Sequence, residues 1–273
     1  MSRLQWDAVG ERFYETGTKM GVLYPQVGNA YPAGVVWNGL TAVTESPEGA
    51  EANSLYADDI KYLTLRSAED FKATIEAYTY PDEFAECDGS AWVVPGVKIG
   101  QQARKPFGLS YRTTIGNDVE YDEYGYVIHL VWGATVSPSE KAYQSVNDSP
   151  EAINFSWEID TVPVDIGKID GKAYRPAAHM EINSKKVDAE KLAAFENIIY
   201  GSENSNARLP MPAEVIAHFG SGNVTAYTYT VVTPEGTENP VEEGWYVRNG
   251  NDFIKSTDTT VITGTVYFEK TEV

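Results

Sequence analysis

Cysteine is almost missing from this sequence, since Cys87 is its only one. A single cysteine cannot close an internal disulfide, so we expect folding to be independent of an oxidising compartment. There is no run of about 18 apolar residues, which argues against a membrane-spanning helix. The N-terminal sequence MSRLQWDAVGERFYE also lacks the apolar stretch of a signal peptide. These absences predict a soluble protein that is made in a reducing cytoplasm.

Basic residues are scarce as well. The chain has 21 Lys and Arg against 40 Asp and Glu, a formal net charge of −19. A surface of this sign repels nucleic acid and anionic membranes, which argues against base readout and against phosphate binding. It is compatible with a protein that lets DNA pass without gripping it. Hydrophobic residues make up 42% of the 273 residues and aromatic residues 12%, enough for a globular protein with a sizeable core.

Motifs of catalysis and cofactor binding are missing. The sequence contains no GxSxG, Walker-type loop, GxGxxG after a strand, or HExxH. None of His129, His179 and His218 has a second His or Cys at zinc-ligand spacing, so structural roles are favoured, although a distant convergence in the fold stays open. We therefore predict no catalytic residue, no metal and no cofactor. A pair of glycosidase-type carboxylates is not identifiable, because acids occur in almost every predicted loop.

The stretch TIEAYTYPDEFAECDGS, residues 74–90, combines a thiol with clustered acids. Such a cluster can hold a metal, perform acid/base chemistry, activate a nucleophile or form a polar loop. The acids beside Cys87 raise its pKa and suppress the thiolate, which disfavours a nucleophile. We interpret 74–80 as a strand and the rest as the start of a long loop with solvated carboxylates, a turn at Asp88-Gly89 and Cys87 as a small buried side chain.

A second acidic loop, GNDVEYDEYG, places Asp118, Glu120 and Asp122 at alternating positions, as in half of a calcium-binding loop. The glycine expected at position 6 of such a loop is absent. A solvated hairpin loop is therefore the favoured interpretation.

Alternation of apolar and polar residues dominates the chain and predicts a mainly β fold. FGLSYRTTI (107–115) reads as a half-buried strand with Ser110, Arg112 and Thr114 on the polar face, and YGYVIHLVW (124–132) reads as a central strand covered on both faces. Further strands are predicted in FSWEID, in AHMEI and around residues 20–24, 40–45, 60–66 and 74–80.

Helical spacing appears in VDAEKLAAFENIIYG. Asp188 is placed to cap the first turn, and Gly201 is placed to end the helix in the left-handed conformation. The apolar residues Leu192, Phe195 and Ile199 form a narrow stripe, so we expect this helix to lie against a sheet. A second, shorter helix is predicted from Pro212 to Gly220.

The composition changes at GSGN, residues 220–223, which is typical of a linker. We predict two domains, residues 1–219 and a small all-β appendage at 220–273. Within the appendage, Asn249-Gly250 between alternating runs predicts a hairpin turn.

Several long strings carry a resemblance to a known family. They are GVLYPQ, VVWNGLTAVTESPEGAE, LYADDIKYL, AYTYPDEFAECDGS, IGQQARKPFGLSYRTTIGND, YGYVIHLVWGATVSPSEKAYQSVNDSPEAINFSWE and DAEKLAAFENIIYG followed by ARLPMPAEV. In this order, over about residues 3–219, the chain closely resembles the major tail protein, or tail tube protein, of long-tailed bacteriophages and prophages of Gram-positive bacteria. The end of the chain, from NPVEEGWYV to TVYFEK, resembles a short β module of phage tail and baseplate proteins, with departures at Val247 and Thr265.

The resemblance implies a β-sandwich or half-barrel flanked by one main helix, in a virion protein with no enzymatic activity. Subunits of that family form hexameric rings that stack into a tube, which conducts double-stranded DNA during ejection without binding its sequence. The implied partners are other copies of the chain, the tape measure protein, the tail-tip or distal tail proteins and the terminator protein, with no membrane. Assembly would take place in the bacterial host cytoplasm.

We expect subunit interfaces in long loops and in an N-terminal arm that binds the neighbouring ring. The interface candidates are Trp6, Tyr14, Tyr56, Asp58, Asp59, Tyr80, Phe84, Gln101, Gln102, Arg104 and Lys105. The alternative that stays open is a β-sandwich surface protein that binds carbohydrate through some of its 18 tyrosines.

Overall fold

The structure, a computed structural model, describes residues 4–143, 145, 148, 151–169 and 172–220, and the strand backbone at 224–225, 244–249, 252–255 and 266–269. In chain order the strands are β1 (Tyr14–Pro25), β2 (Val35–Trp37), β3 (Leu40–Glu45), β4 (Glu48–Gly49), β5 (Ala52–Ala57), β6 (Ile60–Arg66), β7 (Glu69–Asp70), β8 (Lys72–Ala77), β9 (Ala91–Val94), β10 (Val97–Ile99), β11 (Phe107–Asn117), β12 (Tyr121–Val136), β13 (Phe155–Thr161), β14 (Lys168–Ile169), β15 (Lys172–Ala173), β16 (His179–Asn183), β17 (Val224–Thr225), β18 (Gly244–Asn249), β19 (Asp252–Lys255) and β20 (Val266–Glu269). The helices are α1 (Ala189–Ile199), α2 (Pro212–Phe219) and a 3₁₀ helix (Asp82–Glu86). The prediction of a mainly β fold is confirmed.

One large antiparallel sheet organises the chain. Its strand order is β2-β1-β11-β12-β13-β8-β3, and β16 pairs with a second part of β12. The sheet is curled, because β1 and β3 contact each other although they are not neighbours in the strand order. The contact is close: a Cβ added at Gly21 would lie 3.1 Å from the Leu40 side chain.

A hydrophobic core lies on each face of this sheet. Inside the curl, Trp157, Phe84 and Leu109 belong to a buried cluster. On the outer face, Leu130 and Trp132 pack with residues of both α-helices. The central strand β12 contributes to both cores, which confirms the prediction that it is covered on both faces.

Strand β11 is more buried than its alternation predicts. Ser110 and Thr114 were expected on a polar face, yet both are buried. The burial of Ser110 is tolerated because its hydroxyl lies 3.1 Å from the Tyr24 hydroxyl. The prediction of a half-buried strand is therefore wrong here, since the helical layer covers the outer face.

The two α-helices were predicted from local signals, and both are present. The Asp188 carboxylate accepts hydrogen bonds from the backbone N–H groups of Glu190 and Lys191, each at 3.0 Å. Leu192, Phe195 and Ile199 are the buried residues of α1. Gly201 follows with a φ of +85°, the left-handed conformation that favours glycine.

The acidic stretch after β8 is not a long loop. Residues 82–86 form the 3₁₀ helix, and Gly89 has a φ of +74° in the turn that follows. Cys87 is buried, as predicted. Asp88 was expected to be solvated, but it is also buried, where it forms an ion pair with Lys141. A buried carboxylate needs such a partner, so the ion pair between Asp88 and Lys141 is part of the packing of this turn.

Strands β3 to β8 form one long antiparallel ribbon. β3 pairs with β8 at the edge of the main sheet, β4 pairs with β7 beyond it, and β5 pairs with β6 at the far end. The turn at the tip consists of Asp58 and Asp59, with φ values of +50° and +63°. Positive φ at both central residues is what a type I′ hairpin turn requires. The strand at 60–66 was predicted, whereas residues 56–59, which include the end of β5 and this turn, were expected in a long loop.

In the C-terminal segment, β18 pairs with both β19 and β20. The register places Asn249 opposite Asp252, so the predicted hairpin is present, but Asn249 belongs to its first strand and not to the turn. β17 pairs with β14, which lies before the two α-helices in the chain. The division at residue 220 stays a prediction. Within the described residues, none of the helices combines the length and apolar character needed to cross a membrane.

Candidate functional site

The far end of the long ribbon, residues 52–66, exposes an unusual amount of apolar surface; we call it the distal hairpin. The sequence alternates apolar and polar residues here, but there is no core below either face. The register sets Leu55 opposite Leu63, and Leu65 lies on the same face. The exposed fractions of its large apolar residues are 40% for Leu55, 71% for Tyr56, 66% for Ile60, 70% for Tyr62, 37% for Leu63 and 53% for Leu65.

The N-terminal arm, residues 4–13, is a second apolar projection. Leu4, Trp6 and Val9 are 74%, 76% and 79% exposed. The arm is attached to the rest of the protein near its C-terminal end, where the Gly10 N–H donates to Asp118 Oδ1 over 3.0 Å. Asp118 therefore anchors the backbone of the arm, which gives this acid a structural role.

A third projection is the hairpin formed by β9 and β10, residues 91–99. Its apolar side chains are half exposed, with Val93 at 53% and Val97 at 50%. Lys98 connects it to the body of the protein, since its Nζ donates to the Tyr80 hydroxyl over 3.1 Å and lies 5.4 Å from the centre of the Trp92 ring. This hairpin was missed in the sequence because its strands are short and border several glycines.

Most of the predicted interface residues lie on or beside these projections. Tyr56, Asp58 and Asp59 are exposed at the tip of the distal hairpin, Trp6 is on the arm, and Tyr14, 45% exposed, begins β1. Gln101, Gln102 and Lys105 are exposed after the third projection, where Arg104 and Tyr80 are half-buried.

Phe84 requires a correction. Its side chain has no exposed area and packs against Trp37 and Trp157, with ring centres 4.5 and 5.2 Å away. It therefore belongs to the core inside the curl, and it has no surface to offer to a neighbouring subunit. The 3₁₀ helix turns it inward, whereas a loop was expected to turn it outward.

The candidate thiol, Cys87, is buried beside acidic residues. Burial and the neighbouring Glu86 raise the pKa of the Cys87 thiol to about 12.

We expect native Cys87 to react with iodoacetamide at pH 8 about a thousandfold more slowly than the unfolded chain, since the thiolate fraction is that much smaller. Mass spectrometry of timed reactions with and without guanidinium measures the ratio. Rapid alkylation of the native protein would contradict the assignment of Cys87 to the core.

Two histidines that are distant in the sequence meet inside the curl. His129 Nδ1 and His179 Nε2 are 3.3 Å apart, although the residues are separated by 50 positions. The pairing of β12 with β16 brings them together, because His129 lies opposite Glu181 and Val131 lies opposite His179. The distant convergence that the sequence left open is therefore present for these two. No local spacing could reveal it, since the register of the two strands decides it.

Two carboxylates complete this group, which we call the histidine–glutamate cluster: Glu45, His129, His179 and Glu181. One nitrogen or oxygen atom from each lies within 4.8 Å of the others. Glu45 Oε1 is 3.7 Å from His129 Nδ1 and 3.6 Å from His179 Nε2, and Glu181 Oε1 is 3.9 Å from His129 Nδ1. Burial lowers the pKa of both histidines, which favours the neutral imidazoles.

The three projections and the histidine–glutamate cluster differ in what they can bind. The projections can bind protein surface, and the cluster offers nitrogen and oxygen ligands to a cation. A comparison of the chain with the models of known protein families and with curated proteins found no match.

Proposed function

We propose that this chain is a self-assembling structural subunit of a phage tail tube, in which hexameric rings stack into a conduit for DNA and no reaction is catalysed. The long strings in residues 3–219 that resemble tail tube proteins support the proposal. The exposed apolar projections support it independently, because they give the subunit surfaces that need partners.

The distal hairpin is the observation that carries the proposal. An isolated two-stranded hairpin is marginally stable in water, and this one exposes leucine and tyrosine side chains on both strands. Exposed apolar surface of this extent marks a binding site on a soluble protein. The hairpin therefore gains its stabilisation from contact with another molecule.

A second copy of the chain is the partner that fits best. The projections lie at different places in the sequence, residues 4–13, 52–66 and 91–99, so one subunit has several distinct surfaces to pair. Contacts between unlike surfaces of identical subunits generate rings and stacks of rings. Sheet edges offer a further contact, since β3 pairs only with β8 among the described strands. Pairing this edge with a neighbour in a ring would remove the hazard of an open edge.

The net charge of −19 determines which forces assemble such subunits. Identical acidic subunits repel each other, so apolar contact and strand pairing must provide the attraction. At 0.1 M salt, the repulsion between exposed charges more than about 10 Å apart is largely screened, and sulfate strengthens apolar burial. An acidic lumen would in turn repel the phosphates of DNA and let it slide. The tape measure, tail-tip and terminator proteins are the further partners that a tube requires.

Sedimentation velocity tests the proposal in solution. Full-length protein is measured over a hundredfold range of concentration, in low salt and in ammonium sulfate. We expect the fraction of rings and larger particles to increase with concentration and with sulfate. A single monomer peak under all of these conditions would contradict self-assembly, and assemblies that dissolve when sulfate is added would contradict the apolar driving force.

A further inference from the structure

We propose that the histidine–glutamate cluster is a binding site for one divalent transition-metal ion of the Zn²⁺ type. Two imidazoles and two carboxylates supply four ligands from three strands: β3 carries Glu45, β12 carries His129, and β16 carries His179 and Glu181. An ion bound by all four would tie the edge strand β3 to the strands at the centre of the sheet.

The spacing of the ligand atoms fits a tetrahedral ion. Zn²⁺ lies about 2.0–2.2 Å from nitrogen and oxygen ligands, so ligands at tetrahedral angles are about 3.3–3.6 Å from each other. Between the nitrogens of His129 and His179 the distance is 3.3 Å, and from these nitrogens to Glu45 Oε1 it is 3.7 and 3.6 Å. The distance of 3.9 Å to Glu181 Oε1 closes with a small movement of an exposed side chain.

Hydrogen bonds around the cluster orient its ligands. The Thr113 hydroxyl donates to Glu15, which leaves the Thr113 oxygen to accept from His129 Nε2 at 3.0 Å. With its proton on Nε2, His129 has its lone pair on Nδ1, the atom that faces the other ligands. The Tyr111 hydroxyl likewise donates to Glu45 Oε1 over 2.6 Å.

Aromatic rings hold the two imidazoles in place. The Tyr111 ring stacks on His129 with centres 4.5 Å apart, and the Phe71 ring stacks on His179 at 4.6 Å. Ligands that are fixed before the ion arrives lose little conformational entropy on binding it. The same packing confines the imidazoles in a partly apolar site, while the Glu181 side chain, 57% exposed, leaves the site open to solvent.

The charges around the cluster favour a cation. Glu15, Glu45 and Glu181 all lie within 4 Å of a histidine nitrogen. Among the described residues, no Lys or Arg forms an ion pair with any of these carboxylates. A bound divalent ion would neutralise this excess of negative charge. Imidazole ligands select Zn²⁺, Co²⁺ and Ni²⁺ over Mg²⁺ and Ca²⁺.

Titration calorimetry of the full chain with Zn²⁺ tests the site, after treatment with a chelator. We expect one ion per chain and no heat with Mg²⁺. Glu181→Gln and His179→Gln should each weaken Zn²⁺ binding at least tenfold, because each removes one ligand. The matched control is His218→Gln, which alters a histidine that contacts the Lys191 carbonyl on the helical layer, far from the cluster in the fold. This control should bind Zn²⁺ as the original chain does.

Co²⁺ absorption provides the second readout. A tetrahedral site with nitrogen and oxygen ligands gives Co²⁺ intense visible bands, and Zn²⁺ should displace them at one equivalent. Circular dichroism verifies that each variant is folded, and Glu181→Gln carries the test if His179→Gln does not fold, because Glu181 is exposed. Absence of one-to-one binding, or equal binding by Glu181→Gln and the original chain, would overturn the proposal and leave the histidines as a hydrogen-bonded pair.

Discussion

The double variant Leu63→Glu/Leu65→Glu is expected to fold normally and to lose self-assembly. Both side chains are exposed on the distal hairpin, 37% and 53%, so their replacement leaves the two cores intact. Surface substitutions of this kind usually change the free energy of unfolding by less than about 0.5 kcal/mol. The melting temperature of the subunit should therefore be nearly unchanged.

The loss of assembly follows from what the hairpin would bury in a contact. Full burial of a leucine contributes about 1.5–3 kcal/mol, and part of this is already gained in the subunit. Two leucines account for about 3 kcal/mol per contact, and two buried carboxylates without partners add a further penalty. We expect the concentration needed for assembly to increase at least ~100-fold.

Sedimentation in sulfate compares this variant with Val162→Glu/Tyr174→Glu. The control pair is also exposed, 69% and 44%, adds the same charge and lies outside the three projections. It should assemble at a concentration close to that of the original chain. If both double variants assemble equally well, the distal hairpin is not the assembly surface. If both fail equally, charge is responsible and not the loss of apolar contact.

The variant Phe84→Ala should have the largest effect on stability. Phe84 is fully buried among Trp37, Phe107 and Trp157, and its removal leaves a cavity inside the curl. Replacing a buried phenylalanine by alanine lowers the free energy of unfolding by about 3–5 kcal/mol. For a chain of this size, the melting temperature should decrease by about 5–9 °C.

Trp6→Ala is the matched control, because it removes an aromatic ring that is 76% exposed. Its melting temperature should equal that of the original monomer, while its assembly should be weakened. Urea unfolding followed by circular dichroism gives both free energies. A Phe84→Ala variant that is stable but fails to assemble would indicate that Phe84 lies in a subunit interface, as the sequence analysis predicted.

Local signals were sufficient to predict the two α-helices. Asp188 caps α1, Leu192, Phe195 and Ile199 form its buried stripe, and Gly201 ends it, all within a few residues of each other. The strand β12 was equally clear, since a continuous apolar run needs cover on both faces. In these elements the local sequence pattern alone indicates which side chains are buried.

Long-range pairing was not available from the sequence. His129 and His179 meet only because β12 and β16 pair in one register, and a shift by one residue would place them on opposite faces. Glu45 reaches them across the curl, from the edge strand β3. The cluster is thus a product of sheet curvature and register, which local spacing does not encode.

The distal hairpin was hidden for a different reason. Its strands carry apolar residues without a core beneath them, and its tip uses Asp58-Asp59 where a glycine is typical. Residues 56–59 were therefore expected in a loop and β5 was not predicted, although β6 was. Such a conflict between local pattern and subunit structure is expected where the missing contact belongs to another molecule.

Negative-stain electron microscopy of the full chain, concentrated in ammonium sulfate, tests the central claim most directly. We predict hollow rings or tubes in which rings are stacked, and their absence from the Leu63→Glu/Leu65→Glu sample prepared in parallel. A field of separate monomers or of amorphous aggregate from the original chain would contradict the proposal that this protein assembles into a tube.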